Sequence, residues 1–119
     1  MPRSVLVVDD HASFRAAAAK VLEAAGFTVV GEAVDVASAK AGVARLHPDV
    51  VLLDVQLPDG DGFMVARWLA VELPGAAVVL TSSRDASDYR DRLAQTRARG
   101  FIGKADLSPE RFVALVGAA

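Results

Sequence analysis

Val5-Leu6-Val7-Val8-Asp9-Asp10 is an apolar run that ends abruptly in two acids. Val50-Val51-Leu52-Leu53-Asp54 repeats the arrangement. Apolar runs of this length without alternation predict strands buried on both faces, as in a parallel sheet. Neighbouring parallel strands finish at one edge, so Asp9, Asp10 and Asp54 are expected to meet at the carboxyl end of the sheet, where open α/β folds bind ligands. Carboxylates that close raise each other's pKa, and such a cluster is costly unless a cation holds it. An all-oxygen donor set favours a hard cation such as Mg2+.

Outward from these runs the chain alternates strand and helix. Ala12 to Ala25 has Phe14, Ala18, Val21, Leu22 and Ala25 on one helical face, and Gly26 is the expected stop. Phe27 to Val30 reads as a short strand. Asp35 to Leu46 reads as a helix with Asp35 as N-cap, broken by His47-Pro48-Asp49. Leu57-Pro58-Asp59-Gly60-Asp61-Gly62 is a turn cluster leading into a helix over Phe63 to Leu73, which Pro74-Gly75 closes. Ala77 to Leu80 is a fourth buried strand, Asp85 to Arg99 a polar helix ended by Gly100, and Phe101-Ile102 a fifth strand. Ser108-Pro109-Glu110 opens a last helix with proline at its first position. Five strands alternating with five helices predict a doubly wound α/β fold, a parallel sheet covered on both faces.

The remaining composition narrows the function classes. The 119 residues suit one domain with one core, expected over 1–119. A formal net charge of -2 leaves no overall basic footprint for nucleic acid or an anionic membrane. With no cysteine, disulfides, zinc–thiolate sites and cysteine nucleophiles are excluded. No apolar stretch approaches a membrane span, and Met1-Pro2-Arg3-Ser4 lacks the pattern of a signal peptide, so a cytoplasmic location is expected.

Two further strand ends complete the constellation. Ala77-Val78-Val79-Leu80 delivers Thr81, whose hydroxyl can bond a phosphate oxygen, and Phe101-Ile102-Gly103 delivers Lys104, whose ammonium can pair with Asp54 or a phosphate. Asp54 is the expected nucleophile, since a carboxylate can accept a phosphoryl group as an aspartyl phosphate. Asp9 and Asp10, with Asp54, are the expected Mg2+ ligands. His11 could suggest phosphotransfer or metal binding, but beside a Mg2+ site it reads as an exposed residue of the first helical turn, and His47, before a proline turn, reads as structural.

Val7-Val8-Asp9-Asp10, Leu53-Asp54, Leu57-Pro58-Asp59-Gly60-Asp61-Gly62, Leu80-Thr81-Ser82 and Gly100-Phe101-Ile102-Gly103-Lys104 together resemble a response-regulator receiver domain of two-component signalling. The resemblance covers essentially the whole chain. It implies a flavodoxin-like (βα)5 sheet of order 2-1-3-4-5, with Asp54 taking a phosphoryl group from a sensor histidine kinase. It also implies Mg2+ held by Asp9, Asp10, Asp54 and the backbone carbonyl of Gln56, and a switch pair formed by Thr81 and Phe101. Such a domain modifies only itself and is not an enzyme acting on a separate substrate. Gly60 stands where a bulky apolar residue is common, and Ala105 follows Lys104 where proline is common, which leaves the isomer of that bond open. Lys104-Ala105-Asp106-Leu107-Ser108 resembles receivers of the LuxR/FixJ type that precede a DNA-binding domain in transcription regulation, a domain absent from this chain.

Two interaction surfaces are expected. Met64, Trp68 and Val71 follow 4-then-3 spacing opposite the inward stripe Phe63, Ala66, Leu69, Ala70 and Leu73. Two readings fit that spacing, a partner surface or an indole lying flat over the helix stem. The polar fourth helix carries Arg90, Arg92, Arg97 and Arg99 as a solvated face, with Asp88 able to pair with Arg92. Together with the fifth strand and fifth helix it forms the expected signalling face, through which a homodimer could form. A pseudo-receiver that binds a partner without phosphorylation, and a Mg2+-dependent phosphatase of the haloacid dehalogenase type, share parts of the pattern. The intact constellation opposes the first, and the adjacent acids in place of Asp-x-Asp, with no cap domain, oppose the second. No Gly-x-Gly-x-x-Gly follows the first strand, which excludes a dinucleotide fingerprint.

Overall fold

The computed structural model describes residues 2–119. Its main sheet contains β1 (Ser4–Val8), β2 (Thr28–Ala33), β3 (Val50–Asp54), β6 (Ala77–Ser82) and β7 (Gly100–Gly103), all parallel, in the order β2-β1-β3-β6-β7. Numbered among themselves, these strands have the expected order 2-1-3-4-5. A separate two-residue ribbon, β4 (Gln56–Leu57) with β5 (Gly60–Asp61), closes the predicted turn cluster antiparallel. The helices are α1 (Ala12–Ala24), α2 (Val36–Leu46), α3 (Gly62–Glu72), α4 (Arg90–Ala94) and α5 (Pro109–Val116).

Strand alternation divides the apolar residues between two layers. Val5, Val7, Val50, Leu52, Ala77 and Val79 pack with Leu22 of α1 and Phe112 of α5, whereas Leu6, Val8, Val51, Leu53 and Leu80 pack with Val43 of α2 and Leu69 of α3. This two-sided burial is the physical reason the strands read as continuous apolar runs. Phe27 and Phe112 meet edge-on, with centroids 5.0 Å apart, and join the connection between α1 and β2 to α5.

Local chemistry sets the helix ends. Asp35 and Ser38 form a capping box on α2, and Ser108 accepts from the Arg111 amide at the start of α5, behind Pro109. Gly26 follows α1 with φ +95°, and His47 ends α2 at φ +46°, a left-handed conformation uncommon outside glycine. The second strand runs to Ala33, beyond the expected Val30, because its backbone pairs with β1 up to Val8.

The predicted helix over Asp85 to Arg99 is not formed as such. A 3-10 turn over Ala86–Tyr89 leads into α4, a single short stretch, and the chain from Gln95 to Arg99 is irregular. Only Tyr89 in this region is buried, so few apolar contacts repay the ordering of a longer helix. Arg92 pairs with Asp61 at 3.0 Å rather than with Asp88, and its guanidinium lies 4.2 Å from the Phe63 ring centroid. Of the two readings of Trp68, its burial favours the indole lying against the helix stem. It is half-buried against the core, with Lys40 Nζ 5.6 Å from its ring centroid, while Met64 and Val71 are exposed. The inward stripe of α3 also includes Val65, which is fully buried.

Among the described residues there is no cis peptide bond, so Lys104–Ala105 is trans, and no helix is long and apolar enough to cross a membrane.

Candidate functional site

Asp9, Asp54 and Thr81 continue the alternation of Val7, Leu52 and Val79, so all three side chains project to the α1/α5 side where their strands end. Asp54 and Thr81 are Cα partners across β3 and β6, and Asp9 lies one residue beyond the Val8–Leu53 pair. All three are buried: Asp9 0%, Asp54 3% and Thr81 0% exposed. The sheet edge therefore collects the residues that the sequence scattered.

Lys104 begins a 3-10 turn after β7 and reaches back across the edge. Its Nζ lies 2.6 Å from Asp9 Oδ2 and donates to Asp54 Oδ2 at 3.1 Å. The same ammonium sits 4.8 Å from the Phe14 ring centroid on α1. Burial alone would lower the Lys104 pKa, but its bonds to Asp9 and Asp54 prevail and hold it above the ordinary lysine value. For Asp54, burial raises the carboxyl above its usual range and the Asp9 charge adds to this, against the Gln56 amide and Lys104. The Gln56 N–H donates to Asp54 Oδ1 at 3.2 Å. The Gln56 side chain itself is exposed.

One ligand atom each from Asp9, Asp10, His11 and Asp54 fits within a span of 4.8 Å. The donor set suits a divalent cation: three carboxylates, two of them buried, with a single ammonium between two of them. Asp9 and Asp10 do not cap α1. His11 holds the N-cap position, and its amide donates to Asp9 Oδ1 at 2.8 Å.

The Thr81 hydroxyl is buried with no hydrogen-bond partner. It faces the same side as Asp54 and offers one unused donor. Ser82, next in the strand, is satisfied through Tyr89 Oη at 3.1 Å. Phe101 is half-buried against the α2/α3 layer, 6.1 Å from Tyr89 between centroids. Thr81 and Phe101 thus lie on neighbouring strands with Tyr89 against the aromatic, while Met64, Trp68 and Val71 belong to α3.

Several residues of the site were not singled out by sequence reasoning. Arg15 donates to the Asp9 carbonyl at 2.7 Å and to Glu32 at 2.8 Å, tying α1 to the end of β1 and to β2. Its position one turn after His11 was the available signal. Asp59 accepts from the Val36 and Ala37 amides at 2.7 and 3.1 Å, bracing the loop after β3 against the start of α2. The Val36 amide holds its carboxyl below the usual range. Asp61 caps α3 through the Met64 amide. Gly62 approaches so closely that an added Cβ would lie 2.4 Å from the Asp54 carbonyl oxygen.

Comparison with known proteins places this geometry. The family model for the response regulator receiver domain matches residues 5–116. The signal receiver domain assigned to response regulator NarL of Mycobacterium tuberculosis superposes with a TM-score of 0.83 and 34% identity, covering 95% of this chain and 91% of that one. The DNA-binding transcriptional activator DevR/DosR of M. tuberculosis is 36% identical over 101 residues, 84% of this chain and 46% of that protein. A protein-glutamate methylesterase/protein-glutamine glutaminase of Anaeromyxobacter dehalogenans is 42% identical over 108 residues, 90% of this chain and 29% of that protein. The chain spans about half or less of the length of these curated relatives.

Proposed function

This chain belongs to the response regulator receiver domain family, and on that premise we propose that it is a phosphorylation-dependent signalling switch with Asp54 as phosphoacceptor. The observation that carries the reading is the Lys104 ammonium within 3.1 Å of Asp54 on one side of a buried strand end, with the unpartnered Thr81 hydroxyl beside it. An Asp54 carboxylate oxygen attacks the phosphorus of a phosphohistidine on a sensor kinase. The new O–P bond replaces the N–P bond, and the released imidazole takes a proton. Lys104 answers charge on the phosphoryl oxygens, and the Thr81 hydroxyl donates to one of them. Bound Mg2+, held by Asp9, Asp10, Asp54 and the Gln56 carbonyl, would neutralise charge on the transferring group.

A phosphoryl group adds about -1.5 to -2 charges at Asp54. Thr81, drawn toward the phosphoryl group, and Phe101 on the neighbouring strand reorient together, and the surface of α4, β7 and α5 rearranges beyond them. That surface controls an output domain or partner, in keeping with transcriptional relatives, and a second copy of the chain can pair through it. In this reading the chain forms one unit over 1–119, works in the cytoplasm and modifies only itself. A DNA-binding output domain is the reader that the transcriptional relatives suggest for the switch.

The test is incubation with a small phosphodonor and Mg2+, followed by intact-protein mass measurement. The wild type should gain one phosphoryl group, and Asp54→Asn should gain none. Labelling retained in Asp54→Asn would overturn the assignment. Amide exchange over 81–116 should change on phosphorylation, and identical exchange would refute the output face.

A further inference from the structure

His11 stands at the acidic edge, and the switch does not use its chemistry. Its Nδ1 lies 3.1 Å from Asp9 Oδ1 and 3.1 Å from Asp10 Oδ1. Two ligands at a right angle on an octahedral ion, with bonds of about 2.1 Å, stand about 3.0 Å apart. The ring nitrogen therefore stands from each carboxylate oxygen at the spacing of adjacent donors to one ion, within a group whose ligand atoms span 4.8 Å.

The surroundings support a cation on that side of Asp9. Lys104 approaches Asp9 through Oδ2, which leaves Oδ1 toward His11. Asp9 is fully buried, and the pocket also holds the buried Thr81 hydroxyl, which has no partner. The His11 side chain is 66% exposed, and its backbone is ordinary extended chain (φ -98°, ψ 111°), so the imidazole can turn toward an ion without disturbing the core.

We propose that His11 Nδ1 is a ligand of the cation in this pocket, and that the pocket therefore prefers a borderline first-row transition ion such as Co2+ over Mg2+. This rests on the reading of the acidic edge as a cation site. Imidazole nitrogen is a good donor to transition ions and a poor one to Mg2+, whose shell is oxygen. The nitrogen adds selectivity to a site that three carboxylates would otherwise leave to hard cations.

Co2+ and Mg2+ are titrated separately into the wild type, His11→Ala and His11→Asn by calorimetry, with visible absorption recorded on the Co2+ forms. His47→Asn serves as the control for an exposed histidine elsewhere. His11→Ala should weaken Co2+ binding by about tenfold or more and Mg2+ binding by less than about twofold. The Co2+ absorption bands should shift in both His11 variants and stay unchanged in His47→Asn. If both ions bind the wild type and the Co2+/Mg2+ ratio is the same in His11→Ala, His11 is only a hydrogen-bond donor to the acids and the proposal is wrong. If neither ion binds the wild type, the cation site itself is wrong.

Discussion

Asp54 and Thr81 stand opposite each other as partners on neighbouring parallel strands, and the Thr81 hydroxyl has nothing to bond with. A buried, unsatisfied hydroxyl is destabilising. Thr81→Val keeps the branched shape and removes that group. It should raise the unfolding free energy by about 1 kcal/mol in urea titration without a phosphodonor. A loss of stability would show that the hydroxyl has a partner in the resting state.

Lys104 serves two buried acids at once, so its removal leaves both without an ammonium. Lys104→Met should cost about 2 kcal/mol, below the roughly 3 to 5 kcal/mol of a fully buried ion pair because the lysine is partly exposed. The same change made in Asp54→Asn should cost less, since one of the two carboxylates is then neutral. Equal losses in the two backgrounds would mean that Lys104 and Asp54 do not interact.

Asp61 links α3 to α4 through the Met64 amide and Arg92. Burial would raise its carboxyl, but these partners prevail and hold it below the usual range. Its folded-state pKa is depressed, so its contribution is complete above the unfolded carboxylate value of about 3.9 and fades as pH falls through the lower folded value. Asp61→Ala should therefore cost about 1 kcal/mol at neutral pH, and the gap to wild type should close in strong acid. A gap that stayed constant with pH would exclude the charged cap.

Gly62→Ala tests how tightly the start of α3 sits under Asp54. With Cβ only 2.4 Å from the Asp54 carbonyl oxygen, backbone must move. A loss of about 2 to 3 kcal/mol is expected, together with slower phosphorylation as Asp54 is displaced. Wild-type stability and labelling rate would contradict the close approach.

Tyr89 anchors the segment that follows β6 through Ser82 Oγ. Tyr89→Phe should lower stability by about 1 kcal/mol and speed amide exchange over 83–94 more than in β3. Uniform change along the chain would show that the bond does not hold that segment.

Much of this molecule was legible because buried parallel strands announce themselves. Val5–Val8, Val50–Leu53 and Ala77–Leu80 have no solvent face, and each run stops where its polar residue begins, so Asp9, Asp54 and Thr81 could be placed at one edge before any coordinates. Asp35, Ser108 and Gly26 gave their helix ends through local hydrogen bonding and glycine geometry. The failures arose where tertiary contacts decide. Periodicity could not show that the stretch from Asp85 to Arg99 buries only Tyr89, nor that Arg92 prefers Asp61 on another element to Asp88 on its own. The burial of Trp68 depends on the neighbouring α2, and His11 became part of the acidic group through a side-chain direction that sequence does not encode.

The position of β3 has one more consequence. Asp54 is rooted in a strand hydrogen-bonded on both sides and buried throughout, so the ground beneath it cannot yield. New charge there must be accommodated sideways, and the wall that can give is the thinly anchored stretch after Ser82. The chain thus sets a stiff anvil against a pliant membrane of backbone, and a perturbation at one carboxylate acquires a direction.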